Sequence, residues 1–497
     1  MDGGALAKYR MYIGGEWAEP AGGDYIESDN PYTGQPWALV PRGNAVDADR
    51  AVAAARKAFT SGEWPKLAAS KRGALLRKLG DLIADQAKFL AEIEVRDNGK
   101  LYAEMSAQTA YMAQWYYYYG GLADKIEGAV IPSDKPDTFN YTRHEPLGVV
   151  VAIIPWNSPL LLLAWKLAPA LAAGNTVVVK PSEYTSASAL EFMRLIEAAG
   201  FPPGVVNVVT GYGAEIGTPL VEHPHVAKVA FTGSDATGQK IYESAARGLK
   251  RVSMELGGKS PNIVFDDAHL DNAVKGAISG IFAATGQTCI AGSRLLVQRS
   301  IHDRFVEKLV ALGRTARMGD PMSLETQVGP VTNPPQFEKI LKYIDIAKGE
   351  GAQPVLGGAR ASRPECGNGW FVEPTIFTGV DNAMRIAQEE VFGPVLSVIP
   401  FEDEEEAIAI GNDVVFGLAA GVWTQNMRRA LSMAEKLQAG TVWVNTYRAV
   451  SYLSPFGGYK RSGIGRESGQ DMIREYLQTK SVWISTATEV PNPFILR

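Results

Sequence analysis

Cysteine is nearly absent from this chain of 497 residues: only Cys289 and Cys366 occur. Neither a disulfide framework nor a Cys-rich zinc site can be built from two thiols so far apart. Histidine is also scarce, with five copies, and the His223-Pro224-His225 pair sits in a polar turn that reads as surface, so no metal site is expected. Dense basic blocks are missing, and 49 Lys+Arg against 54 Asp+Glu leave a net charge of −5. A slightly acidic, evenly mixed chain argues against nucleic acid or an anionic membrane as its partner. The start, MDGGALAKYRMYIGG, has no apolar segment followed by a small-residue cleavage site, which makes a cytoplasmic protein the expectation. Leu147 to Trp165 runs without a charge, but Pro155, Asn157, Ser158 and Pro159 interrupt it. It reads as a buried strand, a turn and a buried helix rather than a membrane span.

Ample apolar material is present, at 46% of residues, enough for several cores. From residue 148 short β-branched runs alternate with helical patterns: GVVVAII, PLLLLAWKLAPALAAG, NTVVVK, SASALEFMRLIEAAG and GVVNVV, followed by AKVAFTG, ATGQKIYESAAR and KRVSMEL. Continuously apolar strands separated by helices indicate a parallel sheet covered on both faces, whose ligand lies beyond the carboxyl ends of the strands. The alternation restarts after Gly257-Gly258 with SPNIVF, RLLVQ, PVLSVIP, LAAGVWT and TVWVN. The expected fold class is therefore α/β, with two such domains. The division expected is 1–127 with 147–258, then 259–463, with 128–146 and 464–497 as a bridging element. Strand-like pieces near 136–146 and 477–486 lack a sheet of their own in this reading, as strands that pair across a subunit interface do. The acidic run Glu402 to Glu406 reads as a solvated helix N-terminus favoured by the helix dipole.

Cys289 is the sharpest local feature. It lies in the loop ATGQTCIAGSR between Gly286 and Gly292, where the backbone can approach a ligand and an amide can face a developing oxyanion. A nucleophile and a packing cysteine both remain open on this ground; Cys366, in a polar Gly/Pro loop, reads as incidental. No histidine is well placed as a base, and Glu255 in VSMELGGKSPNIVF is the better candidate. A carboxylate at the end of an apolar strand is costly to bury unless partnered or raised in pKa, so it is either a base or a pair at the domain junction. Asn157, in IIPWNSPL beyond the first strand, is an oxyanion donor or a turn former. Lys180 and Glu183 end the second strand, where an acidic residue accepts from ribose hydroxyls and repels a 2′-phosphate. NAD is accordingly favoured over NADP. A G-x-G-x-x-G fingerprint is missing after the first strand, and FTGSDATG, with Gly233 and Ser234 before a helix, is left to present amides to phosphate.

PWNSPL, KPSE, FTGS, MELGGKSPNIVF, GQTCIAGSR, EEVFGPV and SPFGGYK, in that order along essentially the whole chain, resemble the aldehyde dehydrogenase superfamily, in its acid-forming branch. The resemblance implies a doubly wound Rossmann-like cofactor domain without the usual glycine loop, a second α/β catalytic domain and a small β oligomerisation element. It implies oxidation of a small-molecule aldehyde with NAD, by a homodimer or homotetramer. It casts Cys289 as the nucleophile, Asn157 and the Cys289 amide as oxyanion donors, Glu255 as the residue that activates water, and Lys166 with Glu467 as a proton relay. Lys180, Ser182 and Glu183 would bind the adenosine ribose, Trp156 and Ser234 would lie along the pyrophosphate, and Glu390 and Phe392 would hold the nicotinamide half. Ile153, Ile154, Gly213, Phe231, Gly233 and Leu256 would line the same groove. Trp165 and Phe456 would wall the substrate tunnel. Ser158 stands where family members often carry an aromatic residue, which implies a wider, more polar wall. Arg448 stands where an acidic or small residue is common; with Tyr447 and Tyr452 it is a candidate to receive an acceptor-rich aldehyde, or else a surface or interface arginine. Asp235, where Thr is common, is expected to cap the following helix.

Overall fold

The structure is a computed structural model that describes residues 6–489 and 492–495. Five parallel strands form the centre of an eight-stranded sheet: Arg251–Glu255, Val226–Thr232, Val149–Ile153, Thr176–Lys180 and Val206–Val208, in that spatial order. Valine and alanine dominate them, and Val149–Ile153 and Thr176–Lys180 are buried throughout, as a sheet covered on both faces requires. Val149–Ile153 has the next strand in sequence on one side and Val226–Thr232 on the other. The chain direction of strand addition reverses there, which opens a crevice beyond the strand ends.

A second sheet of seven strands contains Pro261–Val264, Arg294–Gln298, Val395–Phe401, Ala419–Trp423 and Thr441–Val444, all parallel to their neighbours. These five are the strands read from the sequence; Gln353–Leu356 and Thr375–Thr378, which complete the sheet, and helix Pro334–Gly349 were not. The sequence pattern from His302 predicts a helix as far as Arg317, and the helix ends at Gly313. The acidic run does begin a helix: Asp403 caps Glu404–Asn412 by accepting from the Glu406 amide at 3.0 Å.

Three readings change. The two strands left without a sheet pair with each other, Leu477–Ser485 antiparallel to Thr138–Pro146 in unbroken register, with Val130–Ile131 as a third strand. Segments more than three hundred positions apart give no local sign of such pairing. Ser234, not Asp235, caps the helix Asp235–Arg247, because its hydroxyl reaches the Thr237 amide while Asp235 is already helical and bonds Arg461 at 2.9 Å. The segment before residue 127, whose sequence pattern reads as a layer of helices, also holds strands: Met11–Ile13 and Glu16–Ala18 extend the large sheet, and Ala7–Lys8, Tyr25–Asn30 and Gln35–Pro41 form another.

Helix Ala69–Asn98 is thirty residues long and ends at Gly99 in the left-handed conformation. Its last two turns bury Glu94 and Asp97, which accept from the first free amides of helices Pro159–Ala172 and Ala187–Ala199, at Leu160 (2.8 Å) and Ala187 (2.9 Å). Neither of those helices has a side-chain cap of its own, so two acids from one helix meet the positive ends of two others.

In the loops of the second sheet, backbones approach closely. A Cβ on Gly286, whose φ is +68°, would overlap the Gly393 carbonyl. Gly286→Ala is expected to cost on the order of 2 kcal/mol or more and to lower the thermal midpoint. Gly121→Ala, in a helix with open space around the new methyl, is expected to leave the midpoint unchanged or raise it, by at most about 1 kcal/mol. Equal losses in calorimetry of the two variants would contradict this account.

Candidate functional site

The loop that carries Cys289 is held on three sides. Ala284, Thr285 and Gly286 all adopt positive φ, turning the chain sharply after helix Leu270–Phe282. Gly258 leaves room for the Cys289 carbonyl, and the Tyr447 hydroxyl donates to the Ile290 carbonyl at 3.1 Å. Asn157 reaches this loop from the first sheet: its amide donates one hydrogen to the Gln287 carbonyl at 3.0 Å. The second amide hydrogen is left for another acceptor, as an oxyanion donor requires.

Cys289 is partly accessible, but burial, reinforced by the Glu390 and Glu255 carboxylates, pushes its thiol up to about 12, against an opposing pull from Lys100. Glu255 ends the strand Arg251–Glu255 and is only 4% exposed. Neither of its oxygens has a hydrogen-bond partner. Burial first and the neighbouring Glu467 second raise its pKa well above the usual carboxylate range, with Lys166 and Arg466 opposing. Beside it, Lys166 forms a fully buried ion pair with Glu467 and donates to the Thr232 hydroxyl at 2.6 Å. Glu467 is fixed by a reciprocal pair of backbone hydrogen bonds with Phe456, both 2.6 Å. A thiol, an unpartnered carboxyl and a buried Lys-Glu pair in one place can take up and pass on a proton.

The strand ends of the first sheet gather most of the expected groove residues. Ile153 and Ile154 leave the first strand buried, and the Ile154 amide donates to the Lys180 carbonyl at 3.1 Å. Lys180, almost wholly buried, stands 3.6 Å from the half-exposed Glu183 and donates to the Pro181 carbonyl. Ser182 lies between them, with its hydroxyl accepting from the Tyr184 amide at 3.4 Å. Phe231 packs on Gly233, and Leu256 on Gly238 of the helix that Ser234 caps. Exposed Gly213 opens the turn Gly213–Gly217, whose last glycine touches the Lys180 side chain. From the second sheet Glu390 accepts from the Gly258 amide at 2.9 Å. Phe392, at φ +60°, meets Trp156 edge-on at 5.1 Å, with Gln336 bonding its carbonyl. A Lys-Glu pair at one strand end, open helix-start amides at another and a carboxylate across the crevice form a donor set that fits a dinucleotide.

On the other side of Cys289, Trp165 stacks on Trp115 at 5.8 Å and meets Phe456 at 5.0 Å, and Tyr452 packs on Trp115. Ser158 is buried, and its hydroxyl accepts from the Lys100 ammonium at 2.6 Å. Arg448, at φ +67°, lines a cavity of about 390 Å3 with Lys100, Glu104, Met105, Gln108, Ser279, Ala284 and Tyr447. Tyr447 differs from its expected role: its ring fills a slot left by Gly280, Gly292 and Gly421, and its hydroxyl is spent on Ile290. Lys100 and Trp115 went unread in the sequence. A lysine directly after a helix-ending Asn-Gly was the available sign for the first, but only the fold brings it to Ser158. Cys366 is buried in the apolar cluster with Phe371 and Met318, and His223 bonds Asp49 at the surface.

Residues 17–482 match the aldehyde dehydrogenase family. This chain belongs to that family. It is 47% identical to (Z)-2-((N-methylformamido)methylene)-5-hydroxybutyrolactone dehydrogenase of Acinetobacter baylyi, over 99% of this chain and 100% of that one. It is 43% identical to betaine aldehyde dehydrogenase of Bacillus subtilis, over 97% and 99%. A crystal structure of Staphylococcus aureus betaine aldehyde dehydrogenase, a point mutant in complex with NAD+ and with a BME-modified cysteine, superposes with a TM-score of 0.97 at 42% identity, covering 99% of this chain and 100% of that one. Membership in the aldehyde dehydrogenase family accounts for a doubly wound sheet without a glycine fingerprint. Among the described residues no helix is long and apolar enough to cross a membrane.

The raised thiol of this family member gives a direct test. Without ligand, alkylation of Cys289 by iodoacetamide should climb from about pH 7 to about pH 10 without a plateau, since thiolate is the reacting form. A plateau near pH 8 would mean that burial does not govern this thiol.

Proposed function

We propose that this protein oxidises an aldehyde to the carboxylic acid with NAD+ as hydride acceptor. The observation that carries the reading is a partly accessible Cys289 with the Asn157 amide at its loop and Glu255 buried without a partner, at the strand ends that also carry Lys180 and Glu183.

Cys289 releases its proton to solvent and its thiolate sulfur adds to the aldehyde carbon. The free Asn157 hydrogen and the Cys289 amide hold the oxyanion of the resulting thiohemiacetal. Bound NAD+ supplies the acceptor for the hydride that leaves this carbon, which converts it to a thioester. Glu255, raised in pKa by burial, takes the proton of the attacking water, and Lys166 with Glu467 carries that proton away. Hydrolysis frees the acid and restores the thiol. Lys180, Ser182 and Glu183 would hold the adenosine ribose, with Glu183 disfavouring a 2′-phosphate. Ile153, Ile154, Trp156, Gly213, Phe231, Gly233, Ser234 and Leu256 would line the groove, and Glu390 and Phe392 would orient the nicotinamide half. Trp165, Phe456, Ser158 and Arg448 would contact the aldehyde.

We assign 1–127 with 147–258 to the cofactor domain, 259–463 to the catalytic domain, and 128–146 with 464–497 to assembly into a cytoplasmic homodimer or homotetramer. Exposed Phe139, Trp483 and Ile484 on the three-stranded sheet support a second copy of the chain as the partner.

Cys289→Ala should lower NADH formation by at least about a thousandfold. Glu255→Gln should keep a first-turnover burst of NADH while steady turnover falls about a hundredfold or more. A fully active Cys289→Ala protein would remove the mechanism, and turnover persisting without any dinucleotide would favour a thiol hydrolase. On the adenosine side, KM for NAD+ should lie about tenfold or more below that for NADP+; a preference for NADP+ would refute the role of Glu183.

A further inference from the structure

Lys100 is a cation in an unusual position. It is 4% exposed, yet its ammonium makes one hydrogen bond, to the Ser158 hydroxyl at 2.6 Å, and no carboxylate among the described residues lies within 4.0 Å of it. Two of its three donors are therefore unspent. A buried ammonium without an anion is costly, and burial lowers its pKa to about 8. The cavity it lines offers a second unpaired cation: Arg448 donates only to the Ser279 carbonyl, at 3.3 Å. The single carboxylate in the lining, Glu104, is partly used, since one oxygen accepts from the Ala284 amide at 2.9 Å. Glu94, which does not line the cavity, accepts from the Leu160 amide through one oxygen. Two cations against one acid leave the cavity positive. Ser158, which receives Lys100, directly follows Asn157, and Ala284 of the lining begins the turn that leads to Cys289, so the cavity borders the loop of the reacting sulfur.

We infer that Lys100, with Arg448, receives a carboxylate at the far end of the substrate, so that this enzyme takes aldehydes that carry an anionic group. Ser158 makes the recognition possible: a bulky aromatic side chain at this position would occupy the space into which the ammonium projects. A carboxylate bridging Lys100 and Arg448 would give each cation the charge-assisted partner it lacks. The same field would repel a quaternary ammonium aldehyde. This inference rests on Cys289 being the nucleophile of aldehyde oxidation.

The test compares kcat/KM for a series of ω-oxocarboxylates, from about four to eight carbons, with n-alkanals of the same lengths and with a trimethylammonio aldehyde. The best oxocarboxylate should exceed its alkanal by about tenfold or more, and the ammonium aldehyde should be the poorest. Lys100→Met should cut the oxocarboxylate-to-alkanal ratio by about tenfold or more, mostly through KM, while Lys100→Arg restores part of it. Arg448 is partly exposed, so Arg448→Gln provides the same ratio should Lys100→Met fail to fold. Without cofactor, an α,ω-dicarboxylate should protect Cys289 from iodoacetamide at lower concentration than a monocarboxylate of equal length, and Lys100→Met should erase that difference. A wild-type ratio at or below one, or a ratio and a protection pattern unmoved in folded variants, would overturn the inference. Failure to oxidise any aldehyde would instead overturn the reading on which it rests.

Discussion

Lys166 and Glu467 meet with neither side chain exposed to solvent, and much of the site is organised around that pair. Removing one partner would leave an uncompensated charge in a dry interior, a loss of roughly 3–5 kcal/mol. The pair therefore ties helix Pro159–Ala172 to the segment that returns near the end of the chain. That segment has little regular structure of its own. Its place is fixed by Glu467, by the Phe456 backbone pair and by Gly463–Ile464, which joins the large sheet beside Met254 and Glu255. Three consequences meet in one volume: Phe456 reaches Trp165, Gly457 leaves space for the Glu255 carboxyl, and burial, reinforced by the charge of Glu467, keeps Glu255 from ionising easily.

Glycine governs the rest by permitting approach. Gly257 makes room for the Glu390 carboxylate, Gly258 for the Cys289 carbonyl, and Gly286 for the carbonyl of Gly393. Gly257 and Gly258 lie where the end of the first sheet meets loops of the second, Gly286 where two loops of the second meet, and a side chain at any of them would force its neighbours apart. The Cys289 thiol, the Glu255 carboxyl and the Glu390 carboxylate consequently share one seam, although they come from separate parts of the chain. Desolvation at that seam acts on all three in one direction, favouring the neutral form of Cys289, Glu255 and Glu390. Burial disfavours the charged form of each, which limits their mutual repulsion.

The parallel strands were legible because a sheet buried on both faces needs uninterrupted apolar runs, and GVVVAII or TVVVK can do little else. Cys289, Glu255 and Asn157 were legible for a related reason: each breaks a local rule, as a thiol in a glycine-rich loop, an acid ending an apolar strand, or an amide between prolines. The strand pair of 138–146 and 477–485 was not, because pairing between distant segments leaves no periodic trace in either one. Asp235 misled because an acid before a helix and an acid in its first turn look alike until the backbone shows that Ser234 is the last non-helical residue. Tyr447 misled in the opposite way: the glycines that accept its ring are at positions 280, 292 and 421, and nothing near Tyr447 announces them. Lys100 escaped because a lysine after a helix is ordinarily solvated, and the fold alone denies it water.

The two ends of the substrate channel are under different physical constraints. At the reacting end an aldehyde presents one carbon and one oxygen, so sulfur, oxyanion donors and base must occupy nearly fixed positions whatever the rest of the molecule is. The distal end has no such requirement, and its preference is set by whichever groups face the cavity. Aromatic rings alone, such as Trp115, Trp165 and Tyr452, would accept either an apolar chain or a cation lying on their faces. Lys100 and Arg448 remove that ambiguity. A cationic chain end entering the same volume meets like charge, whereas an anion gains two partners and relieves an ammonium already buried at a cost. Overall charge of the chain, mildly negative, has no bearing on this choice. The local field decides it, and that field depends on a serine small enough to let a lysine in.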